Sequence, residues 1–184
     1  EGFRDTFAKD HPITKAEDWK GLKIRSPESD IYMATFSSLG ANPTPVPWSE
    51  VYTALQTGVV DAAEVSIHGG LTARMHEVAK DVSLTSHLFV SHALAINDDI
   101  WHQIPEEYQK IMQDVAIEVS EDYLANFTKK EEEAIQSLKE EGATIHEPSD
   151  DEIAKMREAV QPLWEELGDR YGISELISQI ENEQ

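Results

Sequence analysis

The residue best placed to do chemistry is Arg25, in the stretch GLKIRSPES at residues 21 to 29. It closes a short apolar run, and Ser26 and Pro27 follow at once. A guanidinium there offers a planar fork of donors that matches a carboxylate at two points. Ligands of open α/β sheets sit at the carboxyl ends of strands, which is where Arg25 would lie. Position alone leaves two readings level: a ligand anchor, or a structural salt bridge to one of the chain's 36 acids. Arg4 and Arg74 are the only other arginines before residue 157. Trp48 opens a predicted helix directly after the proline-rich NPTPVP. Its ring suits either the face of a ligand or a hydrophobic staple at the helix entry.

Other chemistries find little to build on. There is no phosphate-cradling glycine loop, no G-x-S-x-G elbow and no H-E-x-x-H. The seven histidines stand at 11, 68, 76, 87, 92, 102 and 146. His68 and His76 could share a helix face, whereas His87 and His92 would face opposite sides of an extended run. Neither spacing suits a metal, and no metal or cofactor is expected. Asp61 and Glu64 bracket a predicted strand. As an acid–base pair they lack a nucleophile or activated water, and capping of nearby backbone is the plainer role.

Composition narrows the classes further. The chain has 184 residues, 40% of them apolar, which is enough for one full domain or two small lobes. No apolar run is long enough to span a bilayer. The absence of cysteine removes disulfides, thiol catalysis and cysteine zinc sites. The chain starts at Glu1 without a leader, so a removed signal peptide is compatible with it. Net charge is -21, with 8 bases and 12 acids in residues 1 to 90 but 7 bases and 24 acids after them. No basic face is available to displace counterions, so no nucleic-acid partner is expected.

The elements that would position Arg25 read as alternating helix and strand. ITKAEDWKGLKIRSP gives a helical turn with capping-box spacing between Thr14 and Glu17, a stop at Gly21 and a strand. ESDIYMATFSSLG is helical, NPTPVP extended, and WSEVYTALQTGVV helical again with Trp48, Val51, Tyr52 and Leu55 on one face. DAAEVS is a strand, GGLTARMHEVAK a helix, and DVSLTSHLFVSHALAIN about two strands' worth of extended chain. This grammar predicts an α/β fold with a mainly parallel sheet flanked by helices. Residues 105 to 141 then read as one long helix, with Pro105 in its first turn and Gly142 as its stop. ATIHEP is a brief strand. A capping box of Ser149 and Glu152 opens a helix through about Leu167, and a last helix covers Ile173 to Ile180.

Two stretches, DWKGLKIRSPES and LGANPTPVPWSEVYTALQTGVVDAAE, resemble the C-terminal part of the solute-binding receptors of tripartite ATP-independent periplasmic (TRAP) transporters. The likeness continues through IPEEYQKIMQDVA and the closing helices. It implies a periplasmic binding protein-like lobe with a mixed sheet and long C-terminal helices. Residues 1 to 90 and 131 to 184 would form the second lobe, and 91 to 130 would return to a first lobe whose opening part is absent. The implied function is capture of a small organic acid in the periplasm, without catalysis, for delivery to the TRAP membrane subunits.

Residue by residue, Arg25 matches the arginine that pairs with the ligand carboxylate, Arg4 a second arginine that helps bind the acid, and Trp48 an aromatic that packs on the ligand. Val65 stands where many members have an asparagine, and Ser66 replaces a common proline. That departure argues against a sialic-acid-like or simple dicarboxylate arrangement. Glu64 and His68 flank it and would select a hydroxyl or an amine, or simply pack. A dimer or domain swap of the segment is also an expectation. An enzyme on the same architecture, or a structural interaction module using the acidic helices, are the rival readings.

Overall fold

The computed structural model describes residues 2 to 182. Six strands form one sheet: β1 (Gly2–Ala8), β2 (Lys23–Ser26), β3 (Asn42–Pro45), β4 (Ala62–Val65), β5 (Asp81–Val90) and β6 (Thr144–His146). Their spatial order is β3-β2-β4-β1-β5-β6. β1 runs antiparallel to both its neighbours, and the other three pairings are parallel. The expected mixed, mainly parallel sheet is therefore present. The helices are α1 (Asp30–Ser38), α2 (Val51–Thr57), α3 (Ile67–Thr72), α4 (Asp98–Trp101), α5 (Glu106–Glu140), α6 (Asp150–Tyr171) and α7 (Ser174–Asn182).

Alternation along the strands divides the apolar residues between two faces. Phe7, Ala63 and Val65 pack with Val51 and Leu55 of α2, Ile67 of α3 and Leu138 of α5. Ala8, Ile24 and Ala62 pack with Trp19, Phe36 of α1 and Met156 of α6. Gly70 lets α3 approach the first of these clusters. A Cβ there would stand 2.2 Å from Phe7 Cζ, on a ring with no exposed surface. Gly70→Ala is expected to cost about 1–3 kcal/mol through overpacking, read as a fall in melting temperature.

Several local expectations change. The first capping group is Asp18 rather than Glu17: its carboxylate accepts from the Thr14 and Lys15 amides at 2.9 and 3.1 Å. Ser149 does cap α6, accepting from the Glu152 amide. Glu152, however, accepts from the Ala16 amide at 2.9 Å instead of closing a box. α6 also runs past Leu167 to Tyr171. The helix expected at GGLTARMHEVAK begins earlier, at Ile67, because Ser66 caps it, and it breaks at Arg74 (φ 56) before a short 3-10 turn. His68 and His76 consequently share no helix face.

β5 is one strand, not two. Arg4 pairs with Leu88 but Thr6 with Ser83, so β5 bulges opposite Asp5, with Ser86 at φ 45. His92 lies beyond its end. α5 spans 35 residues, about 50 Å. Only its last part is buried, at Ala134 and Leu138, whereas Ile111, Val115, Val119 and Leu124 are exposed.

Candidate functional site

β2, β3 and β4 run parallel and end on one side of the sheet, where Pro27 stops β2 after Arg25 and Ser26. β1 is antiparallel, so its beginning lies beside the end of β4, with Asp5 opposite Val65. Topology thus gathers Arg25, Arg4 and Glu64 at the carboxyl edge of the parallel strands, the usual ligand edge of such sheets.

The three side chains form one buried cluster. Glu64 has no exposed surface, Arg25 is 4% exposed and Arg4 6%. Arg4 grips Glu64 in a fork: Nε donates to Oε2, and Nη2 donates to Oε1 at 3.0 Å and to the backbone oxygen at 3.2 Å. Arg25 donates through Nε to the Val46 carbonyl at 2.9 Å and through Nη1 to Glu64 Oε1 at a longer 3.4 Å. Its Nη2 makes no hydrogen bond among the described residues. Burial pulls the Arg25 pKa down, Glu64 opposes that shift, and Arg4 adds to it. A guanidinium remains charged regardless. Each cation lies over a ring, Arg25 over Trp48 at 5.7 Å and Arg4 over Tyr32 at 5.6 Å.

The remaining expected residues are spread around this cluster. Trp48 is 49% exposed at the head of its 3-10 turn, so one part of the ring meets Arg25 while much of it faces open space. Val65 is buried in the core with Phe7 and Ile67. His68 is exposed on α3 and lines a cleft of about 210 Å³ with Ser66, Lys130 and Glu131. Glu64 does not cap backbone as the plainer reading had it; it is the counter-ion of two arginines. Among the described residues no cluster of three or more metal-ligating side chains occurs.

Sequence reasoning gave no role at this site to three neighbours. Tyr32 supports Arg4 from α1. Asp5 is buried at the β5 bulge, where it accepts from the Ser86 amide at 2.9 Å. Burial, helped by nearby Glu131 and resisted by the Ser86 and Thr85 amides, raises its pKa to about 7. His87 leaves the bulge between Trp19 and Phe36, with Nδ1 2.7 Å from the Thr85 hydroxyl. Burial first, then Arg4, lowers its pKa to about 3. For Asp5 and His87 the available signal was a titratable residue inside the apolar runs GFRDTFA and HLFV, which marks a buried polar group.

Residues 1–170 match the family described as bacterial extracellular solute-binding protein, family 7 (DctP). A C4-dicarboxylate-binding periplasmic protein of Rhodobacter capsulatus is 34% identical over 173 residues, covering 93% of this chain and 51% of that protein. A TRAP periplasmic solute-binding protein of Chromohalobacter salexigens with bound D-glucuronate superposes with a TM-score of 0.91 at 27% identity, covering all of this chain and 60% of the other. A counterpart from Fusobacterium nucleatum with bound sn-glycerol-3-phosphate gives a TM-score of 0.83 at 35% identity, covering 99% and 59%. The chain spans about half the length of the curated relatives it matches. With its sheet, its carboxyl-edge arginines and this match over 170 residues, the chain belongs to the DctP family of TRAP-type solute-binding proteins.

Proposed function

We propose that this chain is the carboxylate-anchoring part of a longer periplasmic receptor, which captures a small organic acid and presents it to the membrane subunits of a TRAP transporter. The observation that carries the reading is Arg25. It is a buried cation whose nearest acid is already held in a fork by Arg4, and it has an unused nitrogen at the strand edge. Buried charges are stable only when paired and hydrogen-bonded. A ligand carboxylate would complete the pairing and receive a charge-assisted bond in a dry cleft. Trp48, half open above Arg25, supplies an apolar wall for the rest of the ligand. His68 is accessible for a secondary contact, whereas Val65 contributes shape through the packing beneath.

An enzyme would need a free base beside Arg25. The carboxylate there, Glu64, is fully buried and engaged by both arginines. The relatives whose names state a role bind solutes. Calorimetry of the full-length receptor against uronates, aldonates, dicarboxylates and ectoine tests the proposal. Saturable binding of one acid without product is expected. Turnover, or no binding by any acid, overturns it.

Residues 1 to 90 and 131 to 184 serve as the second lobe in this scheme, and 91 to 130 belongs with a first lobe. The apolar residues Leu94, Ile100, Ile111, Val115, Val119 and Leu124 support that division, since all are exposed here. Exposed apolar surface on this scale marks a contact face. The 184-residue chain alone is therefore expected to bind an apolar dye such as ANS strongly and the full-length receptor weakly; equal binding would contradict the division. Neither the fold nor the relatives support a dimer or domain swap.

A further inference from the structure

Glu64 has a consequence for ligand choice, which rests on the receptor reading above. It carries the negative charge nearest the Arg25 fork, and it cannot turn away. Its two carboxylate oxygens are held by Arg4, and its carbonyl accepts from Arg4 as well. The carboxylate has no exposed surface, so water does not screen it. Any anion docking on Arg25 shares that guanidinium with Glu64 Oε1, 3.4 Å from Nη1.

We infer that Glu64 is a specificity-determining residue that limits the Arg25 anchor to a single negative charge, selecting carboxylate monoanions over dianions such as phosphate monoesters. The first charge of the ligand meets a guanidinium that Glu64 only partly compensates. A second charge on the same head group meets Glu64 itself across a few ångströms of low-dielectric protein, where like charges repel most strongly. Glu64 need not touch the ligand to act; it sets the field in which Arg25 works. This is discrimination by a built-in repulsive element, which complements the attraction of the arginine.

The test uses the full-length receptor with D-glucuronate and sn-glycerol-3-phosphate as probes, titrated calorimetrically to millimolar concentration at pH 5 and pH 8. The phosphate monoester changes from monoanion to dianion near pH 6, while the uronate keeps one charge throughout. In the wild type, glycerol-3-phosphate should lose at least about tenfold relative to glucuronate between pH 5 and pH 8. In Glu64→Gln the affinity ratio at pH 8 should move at least about tenfold toward the phosphate and lose most of its pH dependence. Glu64→Asp, which keeps the charge, should retain the wild-type ratio.

Equal weakening of both probes by Glu64→Gln, with the pH profile unmoved, would show a structural role only and overturn the inference. If that variant does not fold, the profile of Asp5→Asn decides, since it removes the neighbouring group that titrates near pH 7: a ratio constant from pH 5 to pH 8 overturns the inference. Failure of both probes to bind also overturns it. In that event, a ligand found among the other acids leaves the receptor reading standing, and none found removes both.

Discussion

Arg25→Ala in the full-length receptor is expected to weaken binding of its organic acid about thirtyfold or more while leaving the fold in place. Truncating one partner of a buried, hydrogen-bonded charge pair costs about 2–5 kcal/mol, and every 1.4 kcal/mol is about tenfold in affinity. The fold persists because Glu64 keeps its closer partner, Arg4, when Arg25 is removed. Arg25→Lys retains the charge but loses the fork, the Val46 bond and the stacking on Trp48, so intermediate affinity is expected. The reverse pattern is expected of Arg4→Ala. That change takes from Glu64 the fork that holds both its carboxylate oxygens, while Arg25 stands at a longer 3.4 Å, and breaking a buried ion pair by removing one partner costs about 3–5 kcal/mol of stability. Calorimetric affinity and thermal melting, measured on both variants, separate the two roles. Equal loss of stability in both would contradict the division of labour.

The second large effect is a pair of opposing pH dependences at the β5 bulge. Asp5 titrates near pH 7 in the fold against an ordinary value of 3.8. Between about pH 4 and 7 the folded chain therefore holds a proton that the unfolded chain has released. Its contribution is most favourable at low pH, falls as pH rises, and reaches its full penalty above about pH 7. The limit is about 4 kcal/mol for a shift of this size.

His87 acts in the opposite sense. Its folded pKa is about 3 against 6.5, so its contribution is present above pH 6.5 and lost as pH falls toward 3. The limit there is about 5 kcal/mol. From about pH 4 to 6.5 the two slopes cancel, since each state then holds one proton on the pair.

Single variants should expose the hidden slopes. Asp5→Asn keeps an acceptor for the Ser86 amide and removes the charge penalty. Its stability relative to wild type should rise with pH across 4 to 7, reaching up to about 4 kcal/mol by pH 8. His87→Phe keeps the packing on Trp19 and Phe36, and its stability should fall as pH rises across the same window. Urea denaturation from pH 4 to pH 8 measures both. Parallel curves for the variants and wild type would contradict the buried-pair account.

The order of elements was legible because it is written in local signals. Glycines at 21, 40 and 142 sit at the positive φ angles that their stop role required. The prolines of NPTPVP make β3, and the pattern from 105 to 141 is one helix. Arg25 could be read at a strand end because Pro27 follows it. Partnership was not legible. Arg4 and Glu64 are 60 residues apart, and they meet only because β1 inserts antiparallel between β4 and β5. No periodicity encodes which strand lies beside which. β1 itself went unread, since its burial on both faces leaves no alternation to detect. The bulge was equally invisible: DVSLTSHLFV is uniformly strand-forming, and the break at Ser86 arises where Asp5 takes that amide.

The most direct test is a crystal structure of the full-length receptor with the organic acid that it binds. The ligand carboxylate should lie about 3 Å from the Arg25 guanidinium, with both oxygens facing its Nη edge, and the rest of the ligand should rest on Trp48. A ligand bound with its carboxylate elsewhere, and Arg25 still engaged only by Val46 and Glu64, would contradict the account at its centre.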